Sequence, residues 1–171
     1  MHLTCLNTAV SIVLAILLSW AQAESKDERL SLAAHVVTGY TSLCDVEPQQ
    51  QPKSATIDPG AGYSFSMGCR DFNQRSLVPV EIVVTNLGSQ PAKFRVPLLS
   101  EVSFQLAQRP TSAVAFYVPW GSRTGFATEV TGVIEVVVDP GQSVGFVYLL
   151  PKPAEQAVLR VQNYPAISLK K

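Results

Sequence analysis

VIEVVVDPGQSVGFVYLLPKPAEQAVLRV, residues 133–161, decides the fold class. An apolar, β-branched run ends in Asp139-Pro140-Gly141. A second run closes on Pro151, and a third follows a short polar interval. Runs of this length, rich in Val, Ile, Phe and Tyr and bounded by Pro and Gly, are strand signals. The pattern extends upstream. Residues 77–85 (LVPVEIVVT) read as a strand, Asn86-Leu87-Gly88-Ser89 as a turn, and 92–97 as the return strand. Pro79 cannot donate to a ladder, so it belongs near the start of its strand or on an edge. Further runs are 101–107, 113–118, 132–138, 144–150 and 157–161, with 32–39 and 62–69 as additional candidates. Val102-Ser103-Phe104-Gln105-Leu106 alternates apolar and polar residues, the mark of a half-buried strand, and Tyr63-Ser64-Phe65-Ser66-Met67 does the same. Long helical patterns are absent. About 7–9 short strands predict an all-β antiparallel sandwich of two sheets, with a barrel as the alternative.

Two connections share one text, Asp58-Pro59-Gly60 and Asp139-Pro140-Gly141. Proline presets φ at the first central position and glycine supplies positive φ at the second, which predicts type II turns.

Residues 1–23 read as an export signal rather than part of the fold. Residues 9–20 form a nearly continuous apolar run, and Ala21-Gln22-Ala23 supplies small-x-small cleavage chemistry. The run of about a dozen residues falls short of the roughly 20 that span a bilayer. The segment before it carries no Lys or Arg, and Cys5 lies upstream of the apolar run, where it cannot serve as a lipid anchor of the mature chain. Cleavage would leave residues 24–171 as one domain. Within it, 24–76 is loop-rich and 77–162 forms the sandwich core, and the expected location is periplasmic or extracellular.

All 13 basic and 13 acidic residues lie in that mature part, without a basic stripe. Such a balance gives no electrostatic footprint for nucleic acid or an anionic membrane. Cys44 and Cys69, an even pair in an exported chain, predict one structural disulfide that ties down the polar stretch 45–62. A redox or metal pair would call for C-x-x-C spacing and further ligands.

The order Val80-Glu81-Ile82-Val83-Val84-Thr85-Asn86, then Phe104-Gln105-Leu106, then Asp139-Pro140-Gly141-Gln142-Ser143 leading to Leu149-Leu150-Pro151, then Ala157-Val158-Leu159-Arg160-Val161 resembles exported bacterial immunoglobulin-like sandwiches of the telokin-like type. In that group a V-x-V-x-N strand precedes an F-x-L strand, and a P-G-x-S turn opens a strand closing on proline. The resemblance covers residues 77–161. It departs at Ala107, where the group often has an acidic residue. It implies an immunoglobulin-like sandwich, mostly of modules without assigned chemistry, and carries no functional residue across.

Gly141-Gln142-Ser143-Val144-Gly145 fits the G-x-S-x-G nucleophile pattern, but that elbow requires a following helix and a later histidine. A strand pattern follows here, and His35 is the sole histidine after the signal segment. Ser143 therefore reads as a turn residue. His35 reads as a partly buried strand residue, and Glu81, Glu101, Glu129 and Glu135 as outward-facing strand positions. Carboxylate pairing for glycoside hydrolysis is spatial, and sequence spacing does not address it. No metal or cofactor is expected. The loop Phe116-Tyr117-Val118-Pro119-Trp120-Gly121-Ser122-Arg123 is the leading recognition candidate, since Trp and Arg anchor interfaces. Its expected partner contacts are Tyr117, Trp120 and Arg123; the competing reading folds Trp120 back over the end of the core. The expected function is non-enzymatic binding of a protein or other envelope component. An enzyme or enzyme inhibitor with an unidentified active loop is the alternative, and a structural subunit that donates or accepts a strand is a third reading.

Overall fold

A computed structural model describes residues 29–105, 110–120, 123–153 and 158–169. The signal segment 1–23 lies outside them, as do Leu106, Ala107, Gly121, Ser122 and Ala157. The chain is all-β. Among the described residues there are fourteen strands and no α-helix: β1 (Leu30–Val36), β2 (Thr56–Ile57), β3 (Gly62–Ser64), β4 (Leu77–Asn86), β5 (Ala92–Arg95), β6 (Val102–Gln105), β7 (Pro110–Ser112), β8 (Ala115–Val118), β9 (Gly125–Ala127), β10 (Glu129–Thr131), β11 (Ile134–Val138), β12 (Ser143–Pro151), β13 (Val158–Val161) and β14 (Ile167–Ser168). Nine of them answer the nine runs read from the sequence. The other five, β2, β7, β9, β10 and β14, have two or three residues each, too few to show a period.

Every pairing is antiparallel. One sheet has the order β1-β4-β12-β8-β9; others run β2-β11-β5 and β14-β13-β6-β7, and β10 pairs with β3. The centre is the long ladder of β4 on β12, from Ser143 opposite Thr85 to Pro151 opposite Leu77. One face of that ladder presents Val80, Ile82, Val84, Phe146, Tyr148 and Leu150. These pack with Phe94, Val136, Phe104 and Leu159 of the other sheets into one core, a sandwich-like arrangement. Phe94 meets Phe146 at 5.3 Å and Phe116 meets Tyr148 at 5.0 Å between ring centroids. Tyr148 Oη donates to the carbonyl of Pro97 at 2.8 Å, so the one polar atom that this ring buries is satisfied.

The other face of the same sheet is apolar too. Ala115, Tyr117, Phe126, Val147 and Leu149 form a second cluster with Leu43, Val46 and Phe72 from the loop-rich segment that lies over them. This is why β8 and β12 read as continuous apolar runs while β6 alternates: their side chains are buried on both sides. The covering segment is tied by the Cys44–Cys69 disulfide, 25 residues apart with a Cα–Cα distance of 5.1 Å. Closing a loop of that length removes about 3 to 4 kcal/mol of unfolded-chain entropy. Each cysteine sits in a short 3-10 turn, Leu43–Asp45 and Cys69–Asp71. The first is capped by Ser42, whose Oγ accepts from Cys44 N–H at 3.1 Å while its own N–H donates to Asp45 at 3.0 Å.

Both Asp-Pro-Gly turns close as expected. Ala61 N–H donates to Asp58 O at 2.9 Å and Gln142 N–H to Asp139 O at 3.0 Å, with φ of 86° at Gly60 and 68° at Gly141. The second turn carries the chain from β11 in one sheet to β12 in another. Pro79 stands near the start of β4, where β1 has ended and Val37 N–H still reaches its carbonyl. The return strand is where the sequence reading needs correction: β5 pairs with β11 rather than β4. The reason is Asn86, fully buried at the corner. Its Nδ2 donates to the carbonyls of Gln90 and Val138, both at 2.8 Å, and its Oδ1 accepts from Gly88 N–H at 2.9 Å. The side chain thereby fixes the 86–90 bend to the end of β11 and sends the chain across the core.

Asn86→Ala strips partners from three backbone groups and is expected to lower stability by about 3 kcal/mol, read from urea midpoints at unchanged m. Burial raises the Tyr148 phenol well above its ordinary 10, reinforced by the Glu101 charge. Tyr117 is also raised, first by burial and then by Glu47. Both folded values lie above the unfolded one, so this contribution to stability is complete below about pH 10 and lost as pH climbs towards the folded values. In an absorbance titration at 295 nm, Tyr117 and Tyr148 should ionise late, together with loss of near-ultraviolet dichroism.

Candidate recognition site

The β3–β10 pair forms a two-stranded sheet of its own. Glu129 lies opposite Ser64 and Thr131 opposite Gly62. On one side Ser64 Oγ donates to Glu129 at 3.1 Å, and Ser66 and Thr128 join through their hydroxyls at 2.5 Å. The aromatic positions of the alternation go the other way. Tyr63 and Phe65 meet edge to face at 5.7 Å, both half-buried, and Met67 beyond them is exposed. The Arg123 guanidinium, itself exposed, lies 4.5 Å over the Phe65 ring. That cation–π contact orients a long side chain without neutralising its charge. Tyr63 Oη donates to the Trp120 carbonyl at 3.4 Å, joining the β3 edge to the β8–β9 connection.

Trp120 is half-buried against the core, its ring 6.1 Å from Phe116. Its Nε1 is buried, and among the described residues no acceptor meets it. The indole therefore packs as the end of the core, and the surface of the site is supplied by Arg123 and the aromatic edge of β3. Tyr117 is brought elsewhere. Along β8 the side chains alternate, so Phe116 and Val118 enter the main core while Tyr117 turns to the opposite face and is buried on Phe126 at 5.4 Å. As a partner contact Tyr117 is corrected to a packing residue. Phe65 went unnoticed as a site residue because its partner Arg123 is 58 positions away in sequence. The alternation at 63–67 was its one local signal.

The carboxylates also divide. Glu129 is exposed, and Glu135 pairs with Lys93 at 3.2 Å across β11 and β5. Glu101 belongs to a 3-10 turn rather than a strand, where Arg95 Nη2 donates to it at 3.0 Å and Leu98 N–H at 2.7 Å. Glu81 is the clear correction: expected to face outward, it is 1% exposed. It does point away from the main core, but the covering segment buries it there. Gln49 N–H donates to its Oε1 at 2.8 Å, and His35 Nε2 of the neighbouring strand stands 3.2 Å from Oε2, too poorly aligned for a hydrogen bond. Space for the carboxylate exists because residue 145 is glycine. A Cβ there would overlap Glu81 Oε1.

Ser143 opens β12 and shares a hydrogen bond of 2.8 Å with Thr85 Oγ1. In register it aligns through Thr85 with Ser31, and His35 lies four residues further along β1. At ~3.3 Å per residue and ~4.8 Å per strand, that places the two backbone positions about 16 Å apart, too far for the imidazole to meet the hydroxyl. An open cleft of about 270 Å³ is lined by Ser100, Glu101, Ser103, Arg160, Asn163 and Tyr164 among others. Another of about 380 Å³ runs along residues 37–41 and 45–47. Neither contains Ser143 or His35. No group of three or more His, Cys, Asp or Glu able to hold a metal is found among the described residues. No helix among them is long and apolar enough to cross a membrane. No family model and no curated protein matches the sequence.

Trp120→Ala should cost about 2 kcal/mol, the share of a half-buried indole, whereas Arg123→Ala should stay within about 0.5 kcal/mol in the same urea experiment. Gly145→Ala should destabilise strongly through its clash with Glu81. The Gly145→Ala/Glu81→Ala pair should recover part of that loss, a coupling that a double-mutant cycle measures directly.

Proposed function

We propose that this chain is an exported, non-enzymatic, immunoglobulin-like module that binds a protein or another component of the cell envelope or extracellular space. In this reading residues 1–23 are a signal peptide, and the mature chain starts at Glu24 in the periplasm or outside the cell. The Cys44–Cys69 bridge supports export to an oxidising compartment. The observation that carries the binding role is the cluster formed by Tyr63, Phe65 and Arg123. There an exposed cation is held in place over an aromatic edge, and Met67, two residues along the chain from Phe65, is exposed. Interfaces draw their binding energy from such arginine and aromatic anchors, and a pre-oriented side chain loses less freedom on association.

The test is crosslinked capture from the native envelope fraction, comparing the wild-type chain with Arg123→Ala and Phe65→Ala. The same component should be enriched by the wild type and depleted at least tenfold by either variant. Equal capture by all three, or no enrichment by the wild type, would count against the module. Intact-mass measurement of the exported protein should give a chain beginning at Glu24.

A further inference from the structure

Residues 37–52 form a strap across the outer face of the β4–β12–β8 sheet. The strap contains no strand and adds no ladder to the sheet beneath it. Its apolar attachment is Leu43 and Val46, set with Phe72 against Ala115, Tyr117, Phe126, Val147 and Leu149, with Val37 and Tyr40 packed beside them and Pro48 and Pro52 also buried. Its polar attachment is a clasp of two bonds at the centre of the sheet. Gln49 N–H donates to Glu81 Oε1 at 2.8 Å, and Gly145 N–H donates to Gln50 O at 2.8 Å. Between those points Glu47, Gln49, Gln50 and Gln51 are exposed. These exposed polar residues contribute little burial to offset the entropy of ordering them, and the covalent tie adds to what the apolar anchors supply. Cys44 lies in the middle of the strap next to Leu43, and its partner Cys69 opens the turn that delivers Phe72. Both halves of the apolar attachment are therefore one residue or a few residues from the bridge.

The bridge is also reachable. Cys44 is exposed and Cys69 half-buried. The main core is built without it: β5, β6, β11 and β13 pack on the opposite face of the sheet, with Phe94, Phe104, Val136 and Leu159 in contact with β4 and β12. The molecule thus has one face whose cover contains the bridge and another whose cover does not.

We infer that the Cys44–Cys69 disulfide is a redox-addressed lock on the strap, and that a dithiol reductant opens the outer face of the sheet while the sandwich stays folded. The inference is independent of the binding role proposed above. In the exchange, one thiolate of the reductant attacks the exposed Cys44 sulfur and forms a mixed disulfide, and Cys69 leaves as a thiolate that takes up a proton. The second thiol of the reductant then attacks its own sulfur in the mixed disulfide. This releases Cys44 as a thiol and closes the oxidised reductant, two electrons having passed to the protein. Freed of its tie, the strap leaves Val147, Leu149, Ala115, Tyr117 and Phe126 to solvent and returns Glu81 to water. The product is an apolar patch with an acidic residue at its edge.

The experiment is hydrogen exchange read by mass spectrometry on the purified, oxidised protein before and after dithiothreitol, without denaturant. The expected result is complete reduction in the folded state. Strap peptides covering 37–53 should then lose on the order of a few hundredfold in protection, while peptides containing β6 and β13 are unchanged. Binding of an apolar fluorescent dye should rise in step. A bridge that resists dithiothreitol until the protein unfolds would overturn the inference. So would strap protection that survives reduction. Loss of protection in β6 and β13 together with the strap would also overturn it, because the bridge would then be a staple of the whole fold.

Discussion

The ladder between β4 and β12 is covered on both faces, and most of the molecule is arranged to keep water from one or the other. On one face this is done in the ordinary way of sheet proteins, with other sheets laid across and rings interleaved at 5 to 6 Å, as in Phe94 with Phe146. On the other it is done by a chain segment with almost no regular structure. That segment brings a few apolar anchors, two capped turns and a disulfide. The two covers differ in kind. A sheet satisfies its own backbone as it buries its neighbour, whereas a strap must borrow partners from the surface it covers.

Two buried polar side chains mark the places where the chain has to go one way and no other. Asn86 fixes a corner by bonding to three backbone groups, two in its own bend and one at the end of β11 in another sheet. Glu81 fixes the seat of the strap, with an N–H from Gln49 on one oxygen and the His35 imidazole beside the other. Neither is an efficient source of stability, since removing such a group from water costs nearly what its bonds return. Their value is in geometry: a shifted register would leave each of them unpaired in the interior.

The sequence was legible where local pattern and burial coincide. Long β-branched runs became β4 and β12, strict alternation became β6, and the Asp-Pro-Gly turns took the positive φ that glycine permits. The even cysteine pair became a bridge. Of the strands of two or three residues only β3 left a mark, through the longer alternation at 63–67. Partner choice between strands was also hidden, because the 92–97 run looks the same whether it pairs with β4 or with β11. At the candidate site the loop was visible and its internal division was not. Whether Tyr117 or Trp120 faces outward depends on which faces of β8 are covered, and the cover comes from residues 43–72. Glu81 was misread for the same reason. Alternation placed it opposite the core, and only the strap turns that side into an interior.

Gly145 has a consequence of another sort. It completes the Gly-x-Ser-x-Gly text that invites a catalytic reading, yet its empty position is filled by the carboxylate of Glu81 from the strand alongside. The two sites therefore constrain the order in which this chain can change. A side chain arriving at 145 must displace the Glu81 carboxylate from its bond to Gln49 unless the residue at 81 has first shortened, and a shorter residue at 81 leaves Gln49 without its acceptor until the strap finds another seat. Drift through this part of the sheet thus favours one order. The less disruptive first step is taken at the buried acid, and the glycine that looks like a functional signature moves freely only afterwards.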